Sequence, residues 1–253
     1  MIELPKTEKY KMFIESSDNK IIKQIVSLKD KKTRDETGLF IVEGEKQVKE
    51  IPDGWEIKYV VLTDRNAKNN FSHVYFTTEK IFKKISDTAT PQGILAVVKR
   101  PDYNLSEILS LPTGLFIIID SLQDPGNLGT IIRTAHAYGV KGVFISKNSI
   151  DVFNGKVVRA TMGSIFKVPI FRECDTKSLI TEFKKNKIKT YALALETDKF
   201  VSDVKFEKKV AIIIGNESKG VNADILKSAD DVIKIKMFAE IDSLNAAVAC
   251  SVA

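Results

Sequence analysis

The sequence predicts an α/β protein in two parts: a smaller N-terminal α/β domain and a larger C-terminal domain on a mostly parallel sheet. Three observations carry that expectation. Apolar runs such as LFIIID and VAIIIG recur in the second part and alternate with helical patterns, as strands covered on both faces do. The first hundred residues mix short strands with short amphipathic helices. Between the two parts, KRPDYNLSEILSLPTG breaks both rhythms with two prolines and several polar residues. The expected boundaries are a polar tail over 1–14, a small domain over 15–100, a linker over 101–112 and the sheet domain over 113–253.

Taken in order, NKIIKQIVSLKDKKTR places Ile21, Ile22, Ile25, Val26 and Leu28 on one helical face. LFIVEG reads as a strand, EKQVKEI as a helix, and IKYVVLT and HVYFTT as strands. TEKIFKKISD starts as a capped helix, with Thr78 ahead of Glu79, and QGILAVVKR closes the unit as a strand. After the linker come strand GLFIIID, a helix from Leu128, strand GVFIS, a long polar loop and strand KVPIF. Helix TKSLITEFKKN, strands KTYALAL and KVAIIIG, a helix near ADILKSA, strand DVIKIKM and a final helix from Leu244 complete the chain.

Composition narrows the function classes. The 253 residues are 43% hydrophobic and 28% charged, ordinary values for a soluble globular protein. The apolar runs are too short to span a bilayer, the charged N-terminus has no apolar signal core, and a cytoplasmic protein is expected. Cys174 and Cys250 could form one bridge but make no disulfide framework, and buried thiols are expected. Net charge is +6, compatible equally with a polyanionic partner and with a slightly basic enzyme. Residues 1–100 carry 19 basic and 15 acidic side chains, the remaining 153 carry 20 and 18, so the excess sits mainly in the first part. It is densest along KIIKQIVSLKDKKTRDETG, where Lys23, Lys29, Lys31, Lys32 and Arg34 are candidates for RNA backbone contact or for a solvated helix face. Phe40, Phe71 and Phe76 read as core.

No Gly-x-Gly occurs, which excludes the dinucleotide fingerprint and the glycine loop of the common Rossmann-type methyltransferases. His73 and His136 with two distant cysteines form no zinc pattern, and no metal is expected. There is no Gly-x-Ser-x-Gly elbow. Three segments share one grammar: a strand end, small or polar residues, then a helix. The first is DPGNLGTIIRTAHAYGV, with Asn127 and Arg133; the second is IIIGNESKGV, with Gly215, Asn216 and Glu217; the third is IKIKMFAEIDSLNAAVA, with Ser243, Leu244 and Asn245. Residues beyond the C-terminal ends of parallel strands converge on one edge, where ligands bind. Singly, Asn127 also fits a turn residue, Ser243 a helix cap and Glu217 a surface carboxylate. Together they make a plausible single site.

These segments resemble the three motifs of the SpoU (TrmH-like) branch of the SPOUT RNA methyltransferases, which transfer a methyl group from S-adenosylmethionine to a ribose 2′-oxygen of RNA. The family's Asn with Arg six positions on lies on Asn127 and Arg133; its Gly-Asn-Glu with a later Gly lies on Gly215, Asn216, Glu217 and Gly220; its Ser-Leu-Asn lies on Ser243, Leu244 and Asn245. GKVVRATMGSIFKVPI is similar to the stretch usual between the first two motifs, with Arg159 and Gly163 in place and Thr161 where Ser is common. LFIVEGEKQVKE and TPQGILAVV resemble parts of the family's substrate-binding domain, a small fold like an RNA-binding ribosomal protein. The resemblance implies a trefoil knot in the C-terminal domain, a cofactor bent against its backbone, and two protomers paired through it. Lys236 stands where the third motif has Pro and Ala239 where it has Gly, while Ile235 and Met237 are kept. The chain ends at ACSVA, early for a terminal helix that in the family runs on and assists the dimer.

By the same resemblance, Gly215, Asn216, Ile235, Met237 and Leu244 hold S-adenosylmethionine. Asn127, Glu217, Ser243 and Asn245 shape the reacting corner, Arg133 is the catalytic residue and Arg159 joins the RNA-binding set. A guanidinium stays protonated, so Arg133 is expected to grip a phosphate and stabilise charge on the ribose oxygen. Glu217 is then a candidate proton acceptor. The N-terminal domain favours ribosomal RNA of the 23S type over tRNA. Two other classes stay open: an RNA-binding protein with a degenerate site, and an unknotted nucleotide-binding transferase.

Overall fold

The computed structural model describes residues 10–67, 69–238 and 243–253. Ala239 and the first nine residues of the expected tail lie outside the described residues. The chain divides into two compact units, one running to Pro101 and taking in Phe153–Arg159, the other comprising Asp102–Val152 and Ala160–Ala253.

In the first unit, β1 (Tyr10–Ile14), β2 (Leu39–Glu43), β3 (Ile57–Leu62), β4 (His73–Thr77) and β5 (Ile94–Lys99) form a mixed sheet in the order β1-β4-β3-β5-β2. β4 is parallel to β1 and β3, and β5 is antiparallel to β3 and β2. The end of the expected tail is therefore a strand, and Ile14 is buried. Helices α1 (Lys20–Ser27), α2 (Lys31–Thr37), α3 (Glu45–Lys49) and α4 (Glu79–Ile85) accompany the sheet. The single helix expected over the basic stretch is two. Asn19 caps α1 and Asp30 caps α2, each accepting from the backbone two residues on, so the chain restarts at Asp30. Ile22, Ile25 and Leu28 enter the core with Leu39, Ile41, Phe82 and Leu95, whereas Val26 stays 43% exposed. Phe40 sits on the opposite sheet face, its ring 4.6 Å from Phe153 and 6.3 Å from Trp55. Phe40 and Phe76 are core as expected, and Phe71 is half-buried.

The second unit carries six strands: β6 (Gly114–Ile119), β7 (Gly142–Ser146), β8 (Ile170–Cys174), β9 (Lys189–Leu193), β10 (Lys209–Ile214) and β11 (Asp231–Ile233). All pairs are parallel, in the order β11-β9-β10-β6-β7-β8. Continuous burial along β6, β7 and β10 is what a parallel sheet covered on both faces requires. Helices α5 (Leu105–Ser110), α6 (Pro125–Ala137), α8 (Thr176–Lys185), α9 (Ala223–Ser228) and α10 (Ala246–Val252) belong to this unit, whereas α7 (Gly155–Ala160) falls in the first unit except for its last residue. Leu179, Ile180 and Phe183 of α8 pack with Phe116, Phe144 and Ile213.

Three expectations need correction here. The stretch read as linker contains α5, and Leu109 joins the core with 2% exposure. The long polar loop contains α7 and a 3-10 turn at Ser164–Phe166, with Val157, Val158, Ile165 and Phe166 buried. The strand expected over DVIKIKM stops at Ile233, continued only by a bridge between Phe200 and Lys234. No described helix is long and apolar enough to cross a membrane. Both cysteines are free, and burial pushes the Cys174 thiol up to about 11 and the Cys250 thiol up to about 12.

Candidate active site

Asp124 is extended and its carboxylate accepts from the Asn127 N–H at 2.7 Å, while Pro125 supplies the fixed φ of a first helical residue. The turn expected at Asp124–Asn127 is thus the first turn of α6, which begins before Leu128. Upstream, Ser121 adopts φ 63°, a left-handed conformation uncommon outside glycine. Its N–H donates to Ser146 Oγ at 2.9 Å and its carbonyl accepts from Asn216 Nδ2 at 2.9 Å. The β6 exit is therefore tied to both β7 and the loop after β10.

After β10, Asn216 and Gly220 exchange two backbone hydrogen bonds of 2.9 Å, and Asn216 Oδ1 accepts from the Ser218 and Lys219 N–H groups. A Cβ on Gly215 would fall 2.2 Å from the Gly220 carbonyl carbon and the Val221 nitrogen, so the close approach of this turn requires glycine.

Asn245 caps α10, accepting from the Ala247 and Val248 N–H groups at 2.9 and 3.3 Å. The cap is Asn245 rather than Ser243. Its Nδ2 donates to Asn127 Oδ1 at 2.8 Å, and Asn127 Nδ2 donates to Glu217 Oε1 at 3.2 Å. The Glu217 carboxylate also accepts from the Asp124 N–H at 2.8 Å and the Gln123 N–H at 3.1 Å. One chain of hydrogen bonds thus joins all three motifs.

This geometry corrects the expectation for Glu217. Burial pushes its carboxyl up, but the N–H groups of Asp124, Glu217 itself and Gln123, with the Asn127 amide, outweigh it and hold the pKa below 4.5. A carboxylate stabilised in its ionised form, with its oxygens already accepting four donors, is a clamp on the start of α6 and a poor proton acceptor.

Beside the network, at the C-terminal ends of β9, β10 and β11, lies a cavity of about 690 Å³. Gly215, Asn216, Ile235, Met237 and Leu244 all line it, together with Glu217 and Ser243. Asn127 and Asn245 stand behind Glu217 and are not in the wall. Arg133 is exposed on α6 and engages no described residue. Six residues after Asn127, it lies about 9 Å further along the helix axis and on another side, so the fold does not gather it at the cavity. The reading of the sequence missed Leu193, Ala194, Leu195 and Glu196, which also line the cavity. Their signal was available: β9 is another parallel strand ending at the same edge.

The basic candidates divide. Arg34 is 4% exposed, and its Nη1 donates to the Leu28 and Lys29 carbonyls at 2.8 Å. It closes the α1–α2 turn and is not an RNA contact. Lys29 is similarly engaged, with its ammonium on Asp87 at 2.9 Å and on the Ser86 carbonyl. Lys23 and Lys32 are exposed beside Asp18 and Glu36, and Lys31 is half-buried. Arg159 is half-buried on α7, its carbonyl accepting from Gln47 Nε2. Among the described residues no group of three or more His, Cys, Asp or Glu could hold a metal ion.

Comparison with known proteins follows the same division of the chain. Residues 114–253 match the SpoU rRNA Methylase family, and residues 19–96 match the MRM3-like substrate binding domain. A 23S rRNA (guanosine(2553)-2′-O)-methyltransferase from Bacillus subtilis is 33% identical over 94% of this chain and 96% of its own length. An AdoMet-bound rRNA methyltransferase from Sinorhizobium meliloti is similar with a TM-score of 0.85 and 30% identity, over 96% of this chain and 95% of that one. A TrmH-family protein from Porphyromonas gingivalis, described as a putative RNA methyltransferase, has a TM-score of 0.81 at 29% identity, over 91% of this chain and 93% of its own. With more than half of its residues inside the family match, and a relative one-third identical along almost its whole length, the chain belongs to the SpoU rRNA methylase family.

Proposed function

We propose that this protein transfers a methyl group from S-adenosylmethionine to a ribose 2′-hydroxyl of ribosomal RNA, of the 23S type. The observation that carries this reading is the hydrogen-bonded chain Asn245–Asn127–Glu217, which ties three strand-end motifs to the wall of one cavity. The residues fit the cofactor. Ile214, Val221, Ile235 and Leu244 offer apolar cover for a flat heterocycle, the Gly215 turn brings backbone polar groups to the wall, and Glu196 and Glu217 suit a cationic donor. Bound there, S-adenosylmethionine supplies an electrophilic methyl on a positively charged sulfur.

The chain's own residues do the rest. Glu217 and Asn127 hold the first turn of α6, and so the position from which Arg133 projects. Arg133, permanently charged and free of described partners, grips an RNA phosphate and stabilises negative charge developing on the ribose oxygen. Its exposure leaves the hydroxyl proton a route to water. Residues 15–100, with Lys23, Lys31 and Lys32, take RNA backbone together with Arg159, and residues 113–253 carry the transfer. Family membership brings two further expectations into this proposal: a trefoil knot in the second unit and a homodimer formed through it. The dimer reading is supported by α6 and α10, which pack together with Thr134 and Ser251 hydroxyls 3.0 Å apart and leave Tyr138, Val248 and Val252 exposed. The reaction belongs in the cytoplasm, with the ribosomal RNA.

Calorimetric titration with S-adenosylmethionine, followed by labelled methyl donor and ribosomal RNA from an unmodified strain, tests the reading. Saturable binding and label recovered in ribose are expected, and Arg133→Lys should lose most turnover because the bidentate fork is gone. Label in tRNA alone would redirect the substrate; binding without any transfer would favour an RNA-binding protein with a degenerate site. A folded protein that does not bind the cofactor would overturn the proposal.

A further inference from the structure

Beyond β11 the chain alternates from Ile235 to Phe238. Ile233, Lys234, Ile235 and Met237 line the cavity, while Lys236 and Phe238 do not and are exposed. This is the period-two pattern of an extended segment, and it is held in place by its neighbour. Lys234 donates its N–H to the Lys199 carbonyl and accepts from the Val201 N–H, both at 2.9 Å. Phe200 is thereby set against the outer side of the segment, with the Lys234 ammonium 5.1 Å and the Lys236 ammonium 5.7 Å from its ring centroid. Lys236 also lies 5.4 Å from the centroid of Phe238. Phe238 is 93% exposed, more than any other large apolar side chain among the described residues.

A ring this exposed gains nothing from burial in the folded subunit, and the Lys236 ammonium lies against it. Lys234 is 3.7 Å from Asp198, whereas Lys236 forms no ion pair with a described residue. Cations interleaved with open aromatic faces are what single-stranded nucleic acid requires: the ring stacks a base and the ammonium meets a phosphate. An apolar protein surface would be penalised by the same cation. The first unit's large cavity, about 830 Å³, is the weaker candidate because Glu45, Asp53 and Asp64 line it and would repel a polyanion. Lys236 also stands where the resembled motif has Pro, which carries no charge. Position 236 is not in the cavity wall, so its cation lies outside it.

We propose that Phe238 and Lys236, backed by Phe200 and Lys234, form a stacking platform for an unpaired base of the RNA substrate, next to the nucleotide whose ribose enters the site. This rests on the methyltransferase reading for the identity of the substrate, but its test does not depend on turnover. Affinity for unmodified 23S ribosomal RNA transcript is measured with the full chain for Phe238→Ala, Phe238→Trp and Lys236→Ala, beside calorimetry with S-adenosylmethionine and sedimentation. Phe238→Ala should raise the RNA Kd about 10-fold with cofactor affinity unchanged, and Phe238→Trp should restore it. Lys236→Ala should lower the slope of log affinity against log salt by about 1. In a Trp55→Phe background, the fluorescence of Phe238→Trp should be quenched by a short single-stranded oligoribonucleotide.

Unchanged RNA affinity in Phe238→Ala, or no quenching, would overturn the platform. A shift in subunit association without a change in RNA affinity would overturn it too, making the ring a subunit contact. If RNA affinity responds as expected but the wild type binds no S-adenosylmethionine, the platform stands and the methyl-transfer proposal falls.

Discussion

At the scale of single residues, the site depends on groups with no substitute. Gly215→Ala would place a carbon 2.2 Å from two backbone atoms of the adjoining turn, so the turn must open. We expect at least a tenfold loss of S-adenosylmethionine affinity by calorimetry, with the circular dichroism spectrum unchanged. Glu217 gives a pH signature. Its folded pKa lies below 4.5, so its stabilisation is complete above that value and is lost as pH falls through the lowered pKa. Glu217→Gln should therefore melt roughly 2–4 °C below wild type at pH 7, and the gap should close as both are titrated below pH 4.5. A gap that stays constant into acid would mean the charge is not what matters. Arg34 separates structure from binding. Arg34→Ala should cost about 1–3 kcal/mol, because two carbonyls lose a charged donor inside the protein. It should leave the salt dependence of RNA binding unchanged, while Lys32→Ala should reduce the slope by about 1.

At the scale of elements, two helices hold the hydrogen-bonded corner beside the cavity. Gly129 lets α6 approach Ala160, since a Cβ there would lie 2.3 Å from the Ala160 Cβ and 2.9 Å from its carbonyl carbon. Alanine is the better helix former by about 1 kcal/mol, but overpacking costs about 1–3 kcal/mol and involves backbone. Gly129→Ala should thus lower the melting temperature despite its propensity, and Ala160→Gly should restore part of the loss. A rise in stability would show that α6 and residue 160 can move apart freely. For α10, Asn245→Asp keeps an acceptor for the cap but cannot donate to Asn127. The helix should persist by circular dichroism while turnover falls. The helix starts were legible in the sequence only approximately: Asp124–Asn127 reads as a turn, yet Asp124 caps α6 and Pro125 begins it. Similarly, the basic stretch has one continuous apolar face, and only the Asp30 cap divides it.

At the scale of the whole molecule, the second unit is the more predictable because its sheet is parallel throughout. Each strand must be apolar on both faces and end near one edge, so uniform runs such as Phe116–Ile119 announce both the fold and the side on which a ligand binds. A ligand binding that edge should stabilise the folded protein by mass action. S-adenosylmethionine at a hundred times its Kd should add about 2.7 kcal/mol, read as a rise in melting temperature. The first unit gave weaker signals. Its sheet is mixed, and its outer strand β1 lies in a segment polar enough to read as a tail. The segment Phe153–Arg159 joins that unit across a gap of more than fifty residues, a distant partnership that no local pattern encodes.

The sequence by itself determined the α/β class, the parallel sheet and the family, since these rest on periodicity and on ordered short motifs that survive as strings. The family resemblance in the sequence also pointed to Gly215, Asn216, Ile235, Met237 and Leu244, and all five line one cavity. Only the tertiary structure decided which charges are available. Arg34 and Lys29 look like their neighbours in the string, but folding turns their hydrogen-bond donors onto nearby carbonyls and carboxylates. Glu217 looks like a free acid until the loop after β6 aims the Gln123 and Asp124 N–H groups at it. Hydrogen-bond donors and burial are assigned by contacts between residues far apart in the chain, and local spacing carries no record of them.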